Sequence, residues 1–127
     1  MLLERADPGM IQTMPVWEPR IPRIPVRPLR ICMLSDDMLP AATGVGTFVQ
    51  LVSKELVRRG HRVSVLTTRR RGEPELETWE GVRLHRLFTL KVYGMYQALP
   101  APATLRRILE EERPDLLHHH YLGFLMK

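Results

Sequence analysis

The span from Ile31 to Thr67 constrains this chain more than any other. Ile31-Cys-Met-Leu34 is a short unbroken apolar run, as expected of a parallel strand covered on both faces. Ser35 to Thr43, with Asp36, Asp37 and Pro40, reads as a loop. Val45, Phe48, Val49, Val52 and Leu56 then fall on one helical stripe, opposite Gln50, Ser53, Lys54 and Arg58, so a helix opens at the glycine turn Thr43-Gly44-Val45-Gly46-Thr47. Arg58 and Arg59 complement the C-terminal helix dipole, and Gly60 supplies a left-handed cap. Arg62-Val-Ser-Val-Leu-Thr67 is a second strand. Strand, glycine turn, helix, glycine cap and strand make a βαβ unit, whose right-handed crossover leaves the two strands parallel and adjacent.

Beyond this unit, Val82-Arg-Leu-His-Arg-Leu-Phe88 alternates with period two after a turn at Glu80-Gly81, which predicts a further strand. Pro102 opens a helix carrying Leu105, Ile108 and Leu109, and that helix must end before Pro114. Asp115-Leu-Leu-His-His119 predicts a last strand, and Gly123-Phe-Leu-Met126 the start of another helix. The predicted order is β-α-β-β-α-β, an α/β layered domain over residues 30–127. Residues 1–29 differ in kind: they hold six of the eleven prolines, one at every third position from Pro19 to Pro28. Proline fixes φ and removes a backbone donor, so this leader is expected to be extended or disordered and loosely docked.

With 127 residues the chain has room for one domain with a modest core. It carries no apolar stretch of about 18 residues that would span a membrane, and its first residues lack the apolar core of a secretory signal. The single cysteine, Cys32, excludes an internal disulfide, fits a reducing cytoplasm and reads as a buried strand residue. The formal charge of +5 is spread along the chain, and Arg69-Arg70-Arg71 is the only dense basic cluster. It reads as a solvated loop, with contact to an anionic surface as the alternative. Nucleic-acid binding would need aromatic residues interleaved with these arginines, and none lie among them, so no nucleic-acid partner is expected.

The glycine turn carries the first chemical signal. Thr43 can cap the helix through its hydroxyl, Gly44 tolerates positive φ and admits a ligand close to the backbone, and N–H groups at a helix start suit a phosphate. The third glycine of the dinucleotide fingerprint is missing, and Thr67 and Thr68 stand where an acid would end the second strand, which argues against NAD. No Gly-Lys-Ser/Thr follows, so this is no P-loop. In His118-His119-His120 only His118 and His120 share a strand face, and no Cys or carboxylate cluster completes a ligand set, so no metal site is expected. His120 is read as an active-site imidazole, with a partly buried, hydrogen-bonded histidine as the alternative. His61 and His85 are assigned to structure. Asp36 and Asp37 read as loop carboxylates that cap or face water rather than as an acid–base pair.

In order and spacing these signals resemble a known family. They are the strand ending at Ser35-Asp36, Pro40, Gly44-Val-Gly-Thr-Phe-Val49, Lys54 through Val63, Gly81-Val82-Arg83, and Arg113-Pro-Asp-Leu-Leu-His-His-His120. Leu29 to Leu125 looks like the N-terminal, Rossmann-like domain of retaining glycosyltransferases of the GT-B fold, the glycosyltransferase family 4 group. Thr43 stands where many members have the first glycine of a pair, and Phe48 where many have histidine or tyrosine.

The resemblance implies a parallel-sheet layered domain, the N-terminal half of a GT-B fold and incomplete at its C-terminus. It implies an acceptor-side domain of an enzyme that moves a sugar from a nucleotide-sugar donor to an acceptor, with a membrane lipid as one acceptor class. Thr43, Gly44, Val45 and Gly46 would lie against the donor diphosphate and His120 near the transferring sugar. No cofactor is implied beyond the donor substrate. Because such enzymes hold the nucleotide in a second domain, the chain alone is expected to be inactive, to expose a sheet edge, and to need a separate chain or a longer product for turnover. The alternative is a non-catalytic module or remnant that contacts an anionic membrane or a partner chain. The expected location is cytoplasmic, or peripheral on the inner membrane face.

Overall fold

The computed structural model describes residues 27–39 and 43–121. Residues 1–26 of the proline-rich leader, Pro40 and the helix expected at Gly123–Met126 lie outside the described residues. The elements are β1 (Arg30–Ser35), α1 (Gly44–Arg58), β2 (Arg62–Thr68), β3 (Leu76–Trp79), β4 (Val82–Leu87), β5 (Thr89–Val92), β6 (Met95–Ala98), α2 (Pro102–Glu112) and β7 (Leu116–Tyr121). Five strands form one sheet in the order β3-β4-β2-β1-β7, while β5 and β6 pair separately. β1, β2, β4 and β7 run parallel, and β3 is an antiparallel edge strand.

Alternation along the central strands sorts the core into two layers. Ile31, Met33, Val63, Val65, Val82 and Leu84 face α1 and its Val49. Cys32, Leu66 and Leu87 face the other way, against Ile108 of α2 and Ala98 of β6. Helices therefore cover both faces, which is why most side chains of the central strands are buried on either side, polar ones such as Ser64 and His85 included. Burial pushes the Cys32 thiol up to about 11, Ser64 opposing and Glu112 adding to that rise, so it sits in the core as a neutral thiol.

The first helix begins and ends as the sequence dictates. Thr43 accepts a hydrogen bond from the Gly46 N–H through Oγ1 at 3.0 Å, and Thr47 N–H donates to its carbonyl. At the far end Gly60 has φ +91°. Its N–H donates to Val57 O, and His61 N–H to Leu56 O, the paired bonds of a Schellman motif. The buried stripe differs from the one expected. Gly46, Val49 and Ser53 face the sheet, whereas Val45 and Phe48 are exposed. Small residues at positions 46 and 53 let α1 settle closely over Met33, whose sulfur receives the Ser53 hydroxyl at 3.4 Å. The rest of the expected stripe holds: Val49 is buried, and Val52 and Leu56 pack partly buried against the same core. Gly44 is a second correction, since it is helical rather than left-handed.

Three strands exceed the predicted β-α-β-β-α-β order. β3 pairs with β4 through the turn at Glu80-Gly81, and β5 with β6 through Tyr93-Gly94. Each two-residue turn has positive φ at both positions, the type I′ geometry that matches strand twist. β7 also runs on to Tyr121. His120 thus lies within a strand rather than beyond its end.

Candidate functional site

Four parallel strands deliver their carboxyl ends to one rim of the sheet. β1 continues through α1 to β2 on one side, while β7 returns to the other side after β2, β4 and α2. This reversal between β1 and β7 is a topological switch point, where open α/β sheets leave a crevice beyond the strand ends. The loop after β1, the N-terminus of α1 and the end of β7 meet there.

That loop is fixed by side chains from several elements. Ser35 donates its hydroxyl to Asp37 O at 2.7 Å, and Thr67 and Thr68 donate theirs to Asp36 O at 3.2 and 2.7 Å. Gln50 Nε2 donates to Met38 O at 2.6 Å, while the Met38 side chain, 1% exposed, is buried in the α1-side core. The threonines that replace an acid at the end of β2 thus serve as clamps on the loop carbonyl. A pair of hydroxyls after an apolar strand was the available sequence signal for that role.

At the helix start, Thr43 Oγ1 accepts from Gly46 N–H and donates to Asp37 Oδ2 at 3.2 Å. Asp37 is thus a loop carboxylate held at the helix end. Gly46 is buried with its N–H engaged by the cap, while Gly44 and Val45 are exposed. Their N–H groups occupy the first two helical positions, which have no partner within the helix. A Cβ built on Gly44 meets nothing within 4 Å among the described residues. The described residues therefore give no steric or conformational reason for glycine here.

His120 occupies an irregularity in the β1–β7 ladder. His119 pairs with Leu34 and Tyr121 with Ser35, so His120 is the extra residue of a bulge, a device that re-aims a side chain. Its ring lies 4.1 Å from that of His118 and makes an edge contact with Phe48 of α1 at 5.6 Å. The exposed Phe48 thereby finds its role, seating the imidazole beside the second turn of α1. His120 Nε2 is screened from solvent and has no hydrogen-bond partner among the described residues. Burial, and then the neighbouring His118 and His119, hold its pKa below the ordinary histidine value. The ring is therefore neutral at pH 7, able to donate or accept one hydrogen bond. Among the described residues no group of three metal-ligating side chains comes together.

The other singled-out histidines serve structure. His61 Nδ1 accepts from Leu29 N–H at 3.1 Å. His85 Nε2 lies 2.7 Å from Glu112 Oε1 in the α2-side core. Within the basic cluster, Arg69 bonds Glu73 O and Glu75, and Arg70 lies over the Tyr96 ring at 4.7 Å.

Residues 42–127 match the model of glycosyltransferase family 4. Over 97 residues the chain is 29% identical to a GDP-mannose-dependent alpha-mannosyltransferase of Corynebacterium glutamicum, covering 73% of this chain and 23% of that protein. Over 127 residues it is 28% identical to a component of the human phosphatidylinositol N-acetylglucosaminyltransferase, covering 93% of this chain and 23% of that protein. The chain thus spans less than a quarter of the length of these curated relatives. The family match, the helix-covered parallel sheet and the glycine turn at its switch point agree, and the chain belongs to glycosyltransferase family 4, as a segment of the N-terminal Rossmann-like domain of a GT-B fold.

Proposed function

We propose that residues 30–127 form the acceptor-side domain of an enzyme that transfers a sugar from a nucleotide-sugar donor to an acceptor. The donor diphosphate lies against the start of α1, at Thr43, Gly44, Val45 and Gly46. As the diphosphate departs it gains negative charge, which oriented N–H groups and the positive end of the helix dipole stabilise without reorganising. His120, neutral at pH 7, hydrogen-bonds the transferring sugar. The nucleotide is held by a second domain, in the same product or on a separate chain. A membrane lipid is the acceptor class that the human relative's name supports.

The observation that carries this reading is the imidazole nitrogen of His120, left without a hydrogen-bond partner among the described residues at the switch point beside a helix start. Gly44, where an added Cβ meets nothing within 4 Å among the described residues, supports it. The test is sugar transfer by the protein carrying this segment, assayed with a panel of nucleotide sugars. His120→Ala should lower kcat by about 100-fold, the usual effect of removing one positioned hydrogen-bonding group. Gly44→Ala should lower kcat/KM by about tenfold or more, by placing a methyl group where the diphosphate approaches. Both variants should keep the wild-type unfolding temperature. Wild-type transfer rates in either variant would defeat the reading.

A further inference from the structure

The β5–β6 hairpin leaves the carboxyl rim of β4 with only Phe88 between them, and its two faces differ. In its register Leu90 opposes Gln97 and Val92 opposes Met95, so these four share one face. Leu90, Val92 and Met95 make that face largely apolar, and all three are exposed. On the other face Lys91 opposes Tyr96, and the Lys91 ammonium and Arg70 guanidinium lie over its ring at 5.4 and 4.7 Å. Between positions 88 and 98 there is no acidic residue.

At the tip stands Tyr93, 97% exposed and with φ +48°. Glycine, asparagine or aspartate fill that left-handed position at lower cost, and a bulky residue there is an outlier. At that exposure the Tyr93 ring packs on nothing among the described residues that would offset the strain. An amphipathic ribbon whose apolar face is uncovered among the described residues, with a strained aromatic at its tip and cations behind, is organised toward something beyond those residues. Tyrosine belongs at the boundary of apolar and aqueous phases, and the cations complement anionic head groups.

We infer that the β5–β6 hairpin is a membrane-docking element, inserting Val92, Tyr93 and Met95 into the interface of an anionic bilayer while Lys91 and Arg70 contact the head groups. Docking this hairpin would face the carboxyl rim, with α1 and His120, toward the lipid surface. Arg69 and Arg71 are not needed as the primary contact. The inference stands apart from sugar transfer: loss of vesicle binding leaves the roles of Gly44 and His120 intact, and the converse holds.

The test is co-sedimentation of the full chain with vesicles of phosphatidylcholine alone and of phosphatidylcholine with phosphatidylserine. The wild-type chain should bind the anionic vesicles, more weakly as salt rises. Tyr93→Asn combined with Met95→Thr should lower that binding about tenfold or more, while Tyr93→Asn alone keeps or raises the unfolding temperature because it relaxes the turn. Lys91→Glu should lower binding several-fold on anionic vesicles only. No binding by the wild-type chain, or binding that the tip variants leave unchanged, would overturn the inference. Tip-dependent self-association without lipid would overturn it in favour of a contact between two copies of the chain.

Discussion

Thr43 is the residue on which the start of α1 turns. Its hydroxyl accepts from Gly46 N–H while donating to Asp37, so one side chain both caps the helix and fastens the loop. Thr43→Ala should destabilise the fold by about 1 kcal/mol and Thr43→Ser by much less, as chemical denaturation will measure. His120 gives a pH signature with a definite sign. Its folded pKa lies below the unfolded value, with burial the main cause, so the unfolded chain binds the proton more readily. The neutral ring's contribution is complete above the unfolded value of about 6.5 and is lost as pH falls through the folded pKa. The unfolding temperature of the wild-type chain should therefore drop more below pH 6.5 than that of His120→Gln. Parallel profiles would show that His120 is not the group responsible.

Among the elements, the loop between β1 and α1 has the most anchors, because it presents the helix start to the crevice. Four hydroxyl or amide hydrogen bonds hold its backbone, and Met38 fills the core beneath it. Met38→Ala should cost about 2–4 kcal/mol through lost burial and the cavity left behind. Amide exchange should rise most in residues 35–39 and the first turn of α1. Uniform loss of protection across the sheet would instead place Met38 in the global core alone. The β5–β6 hairpin lies at the other extreme, since a two-stranded ribbon alone is marginally stable. Ala98 packed in the α2-side core and the Leu99 N–H bond to Phe88 O at 2.7 Å tie its base to the domain.

For the molecule as a whole, Glu112 joins the second layer to the sheet. Its carboxylate, 3% exposed, meets His85 at 2.7 Å and Arg83 at 2.8 Å, with Arg62 at 3.7 Å. These partners come from β2 and β4, so the end of α2 is locked across two central strands. Glu112→Ala leaves the buried His85 without its partner, while Arg83 and Arg62 reach water, and should destabilise the domain by about 2 kcal/mol. Glu112→Gln should restore part of this if hydrogen bonding matters beside charge, and equilibrium urea unfolding separates the two. β7 has the opposite character. Among the described residues it has a strand neighbour on one side only, and Leu116 and Leu117 are half-exposed.

The βαβ unit, the helix ends and the family resemblance could be read from the amino-acid order alone, because they rest on local rules. An apolar run, a capping threonine, a glycine at the left-handed position and prolines at 102 and 114 act on neighbouring backbone and need no distant partner. The glycine turn and His120 were legible in the same way, as motif residues. How far α1 is rotated was settled by packing, because the small Gly46 and Ser53 share the sheet-facing side with Val49 and turn Val45 and Phe48 outward, an effect that an apolar count misses. The tertiary structure also placed His120 on a bulge against Phe48 and made Thr67 and Thr68 clamps on a loop far away in sequence. The short strands β3, β5 and β6 escaped a pattern-based reading for a related reason. Four-residue strands carry too little periodicity to register, and a turn such as Tyr93-Gly94, lacking the usual asparagine or aspartate, becomes visible only once its partner strands have met.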